Sequence, residues 1–261
     1  MDLGLKDKTA LVLAGGGGLG RAIAKALAAE GAKVAVAGIG AKSIAGTEAE
    51  LAAIGGKSIG LLWDLSDLAQ IDGHISKIEH QLGPVDILVN NTGGPPPTSA
   101  SGQDPAVWSR YFQAMVLSVI AITDRVLPNM RARHWGRVIT STSSGVESPI
   151  SNLAISNTLR ISLVGWSKTL AREVAKDGIT ADIIVPGRIA TDRTQFLDEA
   201  KAKREGRKVE DVSAESTGGI PVGRYGKPEE YGDVVAFLSS ERAAYITGSV
   251  IRVDGGLIAA I

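Results

Sequence analysis

The chain has 261 residues, 44% of them hydrophobic and 21% charged, which is enough apolar matter to build one sizeable core. Lys plus Arg and Asp plus Glu number 28 each, so no net charge draws the chain to nucleic acid or to a basic partner. With no cysteine, disulfides, thiolate metal sites and cysteine nucleophiles are excluded.

Residues 1–6 lack the basic flank and apolar stretch of a signal peptide. The longest apolar-rich run, 114–122, is too short to span a bilayer. A cytoplasmic protein with no membrane partner is expected.

Residues 9–13 form a short apolar run that fits a strand buried on both faces. Residues 21–30 carry alanines and leucines at helical spacing, and Gly31 stops that helix. There follow a strand at 34–37, a helix at 41–54 ending in Gly55-Gly56, and a strand at 58–62. A helix at 67–82 is stopped by Gly83-Pro84, and a strand at 87–89 runs into Asn90-Asn91-Thr92-Gly93.

The second half repeats the rhythm. It has a long helix at 105–130, a strand at 137–140, a long helix at 151–176 and a strand at 180–185 ending in Pro186-Gly187. A helix at 228–238 and a strand at 250–253 close the chain before Asp254-Gly255-Gly256. The alternation predicts an α/β fold, a Rossmann-type doubly wound parallel sheet with helices on both faces. No linker or repeat divides residues 1–261, so a single domain is expected. A charged insertion at 192–219 follows a strand's carboxyl end, where a substrate lid would sit; a solvated surface excursion is the alternative.

The turn Ala14-Gly15-Gly16-Gly17-Gly18-Leu19-Gly20 lies directly between the first strand and the first helix. Its Gly15, Gly17 and Gly20 satisfy the spacing Gly-x-Gly-x-x-Gly. Glycine admits positive φ and lets backbone approach a pyrophosphate, and the helix amino terminus offers it unpaired N–H groups. A dinucleotide cofactor is therefore expected here. The second strand ends in Gly38-Ile39-Gly40, without the acidic residue that would hold the adenosine ribose of NAD and repel the extra phosphate of NADP. NADP is slightly favoured over NAD on that ground. Lys42 can reach a 2′-phosphate, or can equally be a solvated helix residue.

With these residues in place, the chain resembles the short-chain dehydrogenase/reductase family over nearly its whole length. The family's turn, Thr-Gly-x-x-x-Gly-x-Gly, is matched by Leu13 to Gly20, with Leu13-Ala14 replacing the opening pair. Asp64-Leu65 looks like the pair that meets the adenine. Asn90-Asn91-Thr92-Gly93 is close to the family's Asn-Asn-Ala-Gly. Pro186-Gly187-Arg188-Ile189-Ala190-Thr191 looks like the segment that holds the nicotinamide. Gly223 to Gly226, Pro228-Glu229-Glu230, Tyr245-Ile246-Thr247-Gly248 and Asp254-Gly255-Gly256 continue the likeness. The resemblance implies hydride transfer between NAD(P)H and a small-molecule carbonyl or alcohol, most like the reductases of 3-oxoacyl thioesters. It also implies a four-helix contact between the long helices of two copies, giving a homodimer or homotetramer; packing of those faces on the chain's own sheet is the alternative.

The family's chemistry rests on Asn, Ser, Tyr and Lys, and here only the serine, Ser143, remains. Ser156 and Arg160 stand at the tyrosine and lysine positions, four apart on one helix, and Met115 at the asparagine. A phenol, pulled down from about 10 by a neighbouring ammonium, is a far better acid than the Ser156 hydroxyl. Arg160 keeps a positive charge for the nicotinamide ribose or an anion.

Each residue has a plainer reading: Ser143 as a backbone cap, Ser156 as a helix-surface residue, Arg160 as a solvated cation. Tyr111, Tyr225, Tyr231 and Tyr245 lie outside the motif and take no role from sequence. His74, His80 and His134 lack metal-ligand spacing and are expected at the surface, so no metal is implied. Trp108 and Trp166 are expected to pack helices. The expected activity is an oxidoreductase with a divergent proton-donating arrangement. One alternative is an NAD(P)-binding sensor or oligomer partner without catalysis. Another is the lyase chemistry of halohydrin dehalogenases, which use Ser, Tyr and Arg but have lost the cofactor turn.

Overall fold

The computed structural model describes residues 2–260. Seven strands lie in one sheet: β1 Thr9–Val12, β2 Lys33–Gly38, β3 Ser58–Leu62, β4 Ile87–Asn90, β5 Gly136–Ser141, β6 Ile179–Pro186 and β7 Val250–Val253. Their order is β3-β2-β1-β4-β5-β6-β7, and every pair is parallel. The helices are α1 Gly18–Ala29, α2 Ala41–Ala53, α3 Ile71–Gln81, α4 Pro105–Phe112, α5 Ser118–Ala132, α6 Ala154–Val174, α7 Asp192–Glu205, α8 Val209–Gly218 and α9 Pro228–Leu238.

Strand periodicity divides the core in two. Successive strand side chains point to opposite faces. Leu11, Ala35, Leu88 and Val138 therefore pack with Ile75 and Ile78 of α3, Val126 of α5 and Val174 of α6. Their neighbours Ala10, Val34, Ile87 and Ile139 pack with Ile23 and Leu27 of α1, Leu51 of α2 and Val235 of α9. Both faces of β1, β4 and β5 are thus buried; β1 and β4 accordingly read as short, mostly apolar runs, while β5 also buries Arg137, Thr140 and Ser141.

The structure redraws several expected boundaries. α1 starts at Gly18 rather than 21, so the end of the glycine turn is the helix's own first turn. The expected helix at 105–130 is α4 and α5 joined by one π-helical turn, Gln113–Leu117, and it runs on to Ala132. A π turn inserts one extra residue and frequently marks a functional site. The helix expected from 151 starts at Ala154. The insertion at 192–219 forms α7 and α8.

The stretch Pro105–Ala132 is long and apolar enough to cross a membrane by length and composition, although the run 114–122 alone is not. In the fold, Val119, Ile122, Val126 and Met130 from this stretch are buried in the domain's core.

His74 departs from its expected surface position. It is half-buried and stacks on the indole of Trp63, ring centroids 4.6 Å apart, and that burial lowers its pKa. Trp108 and Trp166 pack beside Met115 between helices, as expected.

One buried acid ties the last strand to the sheet. Asp182 on β6 accepts the Ser249 N–H at 2.9 Å, and burial pushes its carboxyl up to about 6. An unfolded carboxyl titrates near about 4. The folded state thus holds this proton more tightly, so ionisation above pH ~6 costs stability that is recovered as the pH falls towards ~4. Asp182→Asn keeps an oxygen acceptor for Ser249. It is expected to raise stability at pH 8 by on the order of 1–2 kcal/mol, with the gain shrinking towards pH 4. Thermal melts of both proteins across that range check this, and an equal gain at every pH would contradict the assignment.

Candidate active site

The site forms where the carboxyl ends of β1 and β4 part. Leu13 N–H donates to Val89 O at 3.1 Å, Gly15 N–H to Ala37 O at 2.9 Å, and Asn91 Nδ2 to Leu13 O at 3.3 Å. These bonds tie the turn to both neighbouring strands. A Cβ on Gly20 would stand 2.2 Å from Ala14 O, so only glycine fits there. No side chain caps α1 behind Gly17, which leaves its leading amides facing the cleft for an anionic ligand. Ala14 holds φ at +47°, left-handed backbone that strains any residue with a Cβ.

A cleft of about 400 Å³ gathers most of the residues expected from sequence. Ala14, Gly17, Gly18 and Leu19 line it from the turn, and Asn91, Thr92 and Gly93 from the end of β4. Ser143, Ser156 and Arg160 line it from β5 and α6, and Pro186, Gly187, Ile189 and Thr191 from the end of β6. Gly15, Gly16 and Gly20 lie behind this surface and shape the turn. Four expected residues lie outside it, beyond the ends of β2 and β3. Ile39 is 77% exposed, Lys42 is exposed at the start of α2, Asp64 accepts the Ser66 N–H at 2.9 Å, and Leu65 packs on the core.

The three residues expected to be catalytic have distinct environments. Ser143 Oγ accepts the Gly145 N–H at 3.2 Å. Ser156 is buried in the cleft wall rather than on a helix surface, and among the described residues its hydroxyl has no hydrogen-bond partner. Arg160 is buried rather than solvated. It donates to Thr92 O at 3.2 Å, Gly93 O at 3.3 Å and Ser141 O at 3.4 Å. Burial, reinforced by nearby Arg193, lowers this guanidinium to about 10, which leaves it cationic at neutral pH. Met115, read from sequence as standing at the family's asparagine, sits in the π turn and packs with Ile155 and Leu159.

None of the four tyrosines lines this cleft. Tyr231 is fully buried, bonded to Ser141 Oγ at 2.8 Å, and burial raises its pKa. Tyr225 donates to Asp198 Oδ2 at 2.7 Å, Tyr111 packs beside the Met115 cluster, and Tyr245 is fully exposed.

Sequence reasoning missed two features. Arg193, in the first turn of α7, lines the cleft and donates to Pro95 O at 2.7 Å. The only signal in the sequence was its place directly after Thr191-Asp192. The Arg188–Asp198 ion pair, joined by Tyr225 and Ser213, fastens α7 beside the cleft. It links residues too far apart in the chain for any local pattern.

Residues 13–258 match the family model described as enoyl-(acyl carrier protein) reductase. The 3-oxoacyl-[acyl-carrier-protein] reductase FabG of Escherichia coli K12 is 36% identical, over 98% of this chain and 99% of that one. The chain belongs to the short-chain dehydrogenase/reductase family. This short-chain dehydrogenase/reductase is also 35% identical to the D-beta-hydroxybutyrate dehydrogenase of Cupriavidus necator, over 98% and 99% of the two chains. Among solved structures, the L-sorbose reductase of Gluconobacter frateurii, complexed with NADPH and L-sorbose, superposes with a TM-score of 0.94 at 29% identity and full coverage of both chains. YwfH, an NADPH-dependent reductase involved in bacilysin biosynthesis, gives 0.92 at 30% identity over 97% of this chain and 99% of that one.

The strain at Ala14 is measurable. Ala14→Gly is expected to stabilise this short-chain dehydrogenase/reductase by about 1 kcal/mol in urea unfolding. Gly20→Ala, which drives a methyl into the Ala14 carbonyl, is expected to abolish nucleotide binding. Destabilisation by Ala14→Gly would show that the left-handed turn carries no cost.

Proposed function

We propose that this chain moves hydride between NADP(H) and a carbonyl or alcohol, in a site where Ser143, Ser156 and Arg160 stand in for the family's tyrosine-centred donor. One observation carries the reading: the uncapped amino terminus of α1 opens into the same cleft as those three residues.

The residues fit the cofactor. The glycine turn leaves backbone amides for a pyrophosphate, in a cradle that a Cβ at Gly20, 2.2 Å from Ala14 O, would close. No carboxylate stands at Gly38-Ile39-Gly40 to repel a 2′-phosphate, and Lys42 is exposed nearby to meet one. NADPH, when bound, supplies the hydride for carbonyl reduction. Asn91 to Gly93 and Pro186 to Thr191 border the nicotinamide end, and Asp64-Leu65 lies on the adenine side. The helices at 192–219 serve as the substrate lid.

The chain supplies polarisation and a proton path. Because Ser143 Oγ already accepts from Gly145, its O–H is free to donate to the substrate oxygen. Arg160, fixed on three carbonyls, places positive charge near the oxygen that becomes negative as hydride arrives. Ser156 is too weak an acid to protonate that oxygen alone. Its unengaged hydroxyl passes a proton from solvent. The products are the alcohol and the oxidised nucleotide.

Calorimetry with NADPH and NADH, followed by NADPH oxidation over a carbonyl panel, tests this. Tighter binding of NADPH and slow turnover are expected, with Ser143→Ala lowering kcat roughly 100-fold. NADPH binding without turnover on any carbonyl would favour the non-catalytic binding protein, and no NADPH binding would overturn both readings.

The same chain is proposed to pair through α4 to α6. Phe112, Leu117 and Ile161 leave 40%, 37% and 51% of their surface exposed there. An apolar face of this kind is suited to a second copy. Sedimentation of the native chain as a dimer or tetramer, and of Ile161→Glu as smaller species, is the expected result; a native monomer would refute the contact.

A further inference from the structure

Two guanidinium groups meet at the β4 end of the cleft. Arg160 reaches it from α6 and Arg193 from the first turn of α7. They flank the same backbone: a Cβ on Gly94 would stand 3.2 Å from Arg193 Nη2 and 3.8 Å from Arg160 Nη2. Every ion pair among the described residues lies elsewhere, so neither arginine has a carboxylate partner. Asp192, which also borders the cleft, is exposed and pairs with neither.

Arg160 spends its donors on three backbone carbonyls and contributes mainly charge. Arg193 gives one N–H to Pro95 O and, among the described residues, makes no other hydrogen bond. One two-donor edge of its fork therefore stays open. Beside them Thr92 Oγ1 is buried without a partner, and the Thr92 carbonyl is itself held by Arg160. Burial lowers the pKa of both guanidiniums, and the charge of each opposes the other at Arg160.

Holding the buried Arg160 beside the half-buried Arg193 without a counterion is unfavourable, and an arriving anion relieves it. The pyrophosphate of a dinucleotide is provided for at the other end of the cleft, by the glycine turn. We infer that the substrate carries a carboxylate, gripped by the open edge of Arg193 and by the Thr92 hydroxyl, with Arg160 adding charge. A planar two-oxygen group matches the two parallel N–H groups of that edge. This inference rests on the reductase reading above and narrows its substrate class to oxo acids or hydroxy acids.

Binding and turnover separate the two readings. The probes are 2-oxopentanoate, 3-oxopentanoate and 4-oxopentanoate, each with its methyl ester, added to the NADP-loaded protein in a calorimeter. At least one acid is expected to bind roughly 100-fold more tightly than its ester. Arg193→Met is expected to erase that preference while leaving NADPH affinity unchanged, and Arg193→Lys to restore part of it. In NADPH oxidation the same substitution lowers kcat/KM for the acid, mainly through KM, by a far larger factor than for the ester. Equal binding of every acid and ester, or a preference that survives Arg193→Met, overturns the carboxylate site. A phosphate monoester that displaces the best acid also overturns it. Acid binding that depends on Arg193 but gives no turnover supports the site and refutes the reductase instead.

Discussion

Everything functional here depends on one topological constraint: the sheet grows outwards in both directions from β1. Its neighbours are β2 on one side and β4 on the other, so the chain leaving β1 turns one way and the chain leaving β4 the other. Their carboxyl ends part, and a crevice opens where backbone can face a ligand. The glycine turn exploits that opening. Gly20 brings the first turn of α1 within van der Waals reach of the Ala14 carbonyl, closer than any side chain permits. The helix therefore starts at the crevice floor, and its amides point into it.

Around that floor the polar balance differs from what the resemblance implied. Where the resemblance expects a tyrosine and an asparagine stand Ser156, with no hydrogen-bond partner among the described residues, and the packed thioether of Met115. Where it expects a lysine stands Arg160, its guanidinium tied to the backbone, and a second guanidinium, Arg193, reaches the cleft from α7. The groups that line the cleft here are thus weak acids and fixed cations. Guanidiniums beside serine hydroxyls favour the stabilisation of negative charge over the delivery of protons, which is the physical basis of both proposals.

The insertion at 192–219 contributes to both properties. Asp198 is buried beneath it, bonded to Arg188 and Tyr225, and this anchor places Thr194 and Leu197 on the cleft wall. Arg188 follows the end of β6 in the segment expected at the nicotinamide. One ion pair thus connects the cofactor-side loop to the helix that carries Arg193.

The sequence alone determined the alternation of strands and helices, the parallel sheet and the phosphate-binding turn, because each is written in local periodicity or in the steric freedom of glycine. It also set Ser156 and Arg160 where the resemblance leads one to expect Tyr and Lys. The tertiary structure decided the rest. Helix starts moved by about three residues at Gly18 and Ala154, where the turn geometry rather than propensity sets the first hydrogen bond. The π turn around Met115, the burial of Ser156 and the seat of Arg160 on backbone carbonyls depend on packing between segments. The approach of Arg160 to Arg193 is clearest of all. Those residues are distant in the chain, and only the fold brings two like charges to one glycine, because charge proximity is a property of space and leaves no trace in local sequence.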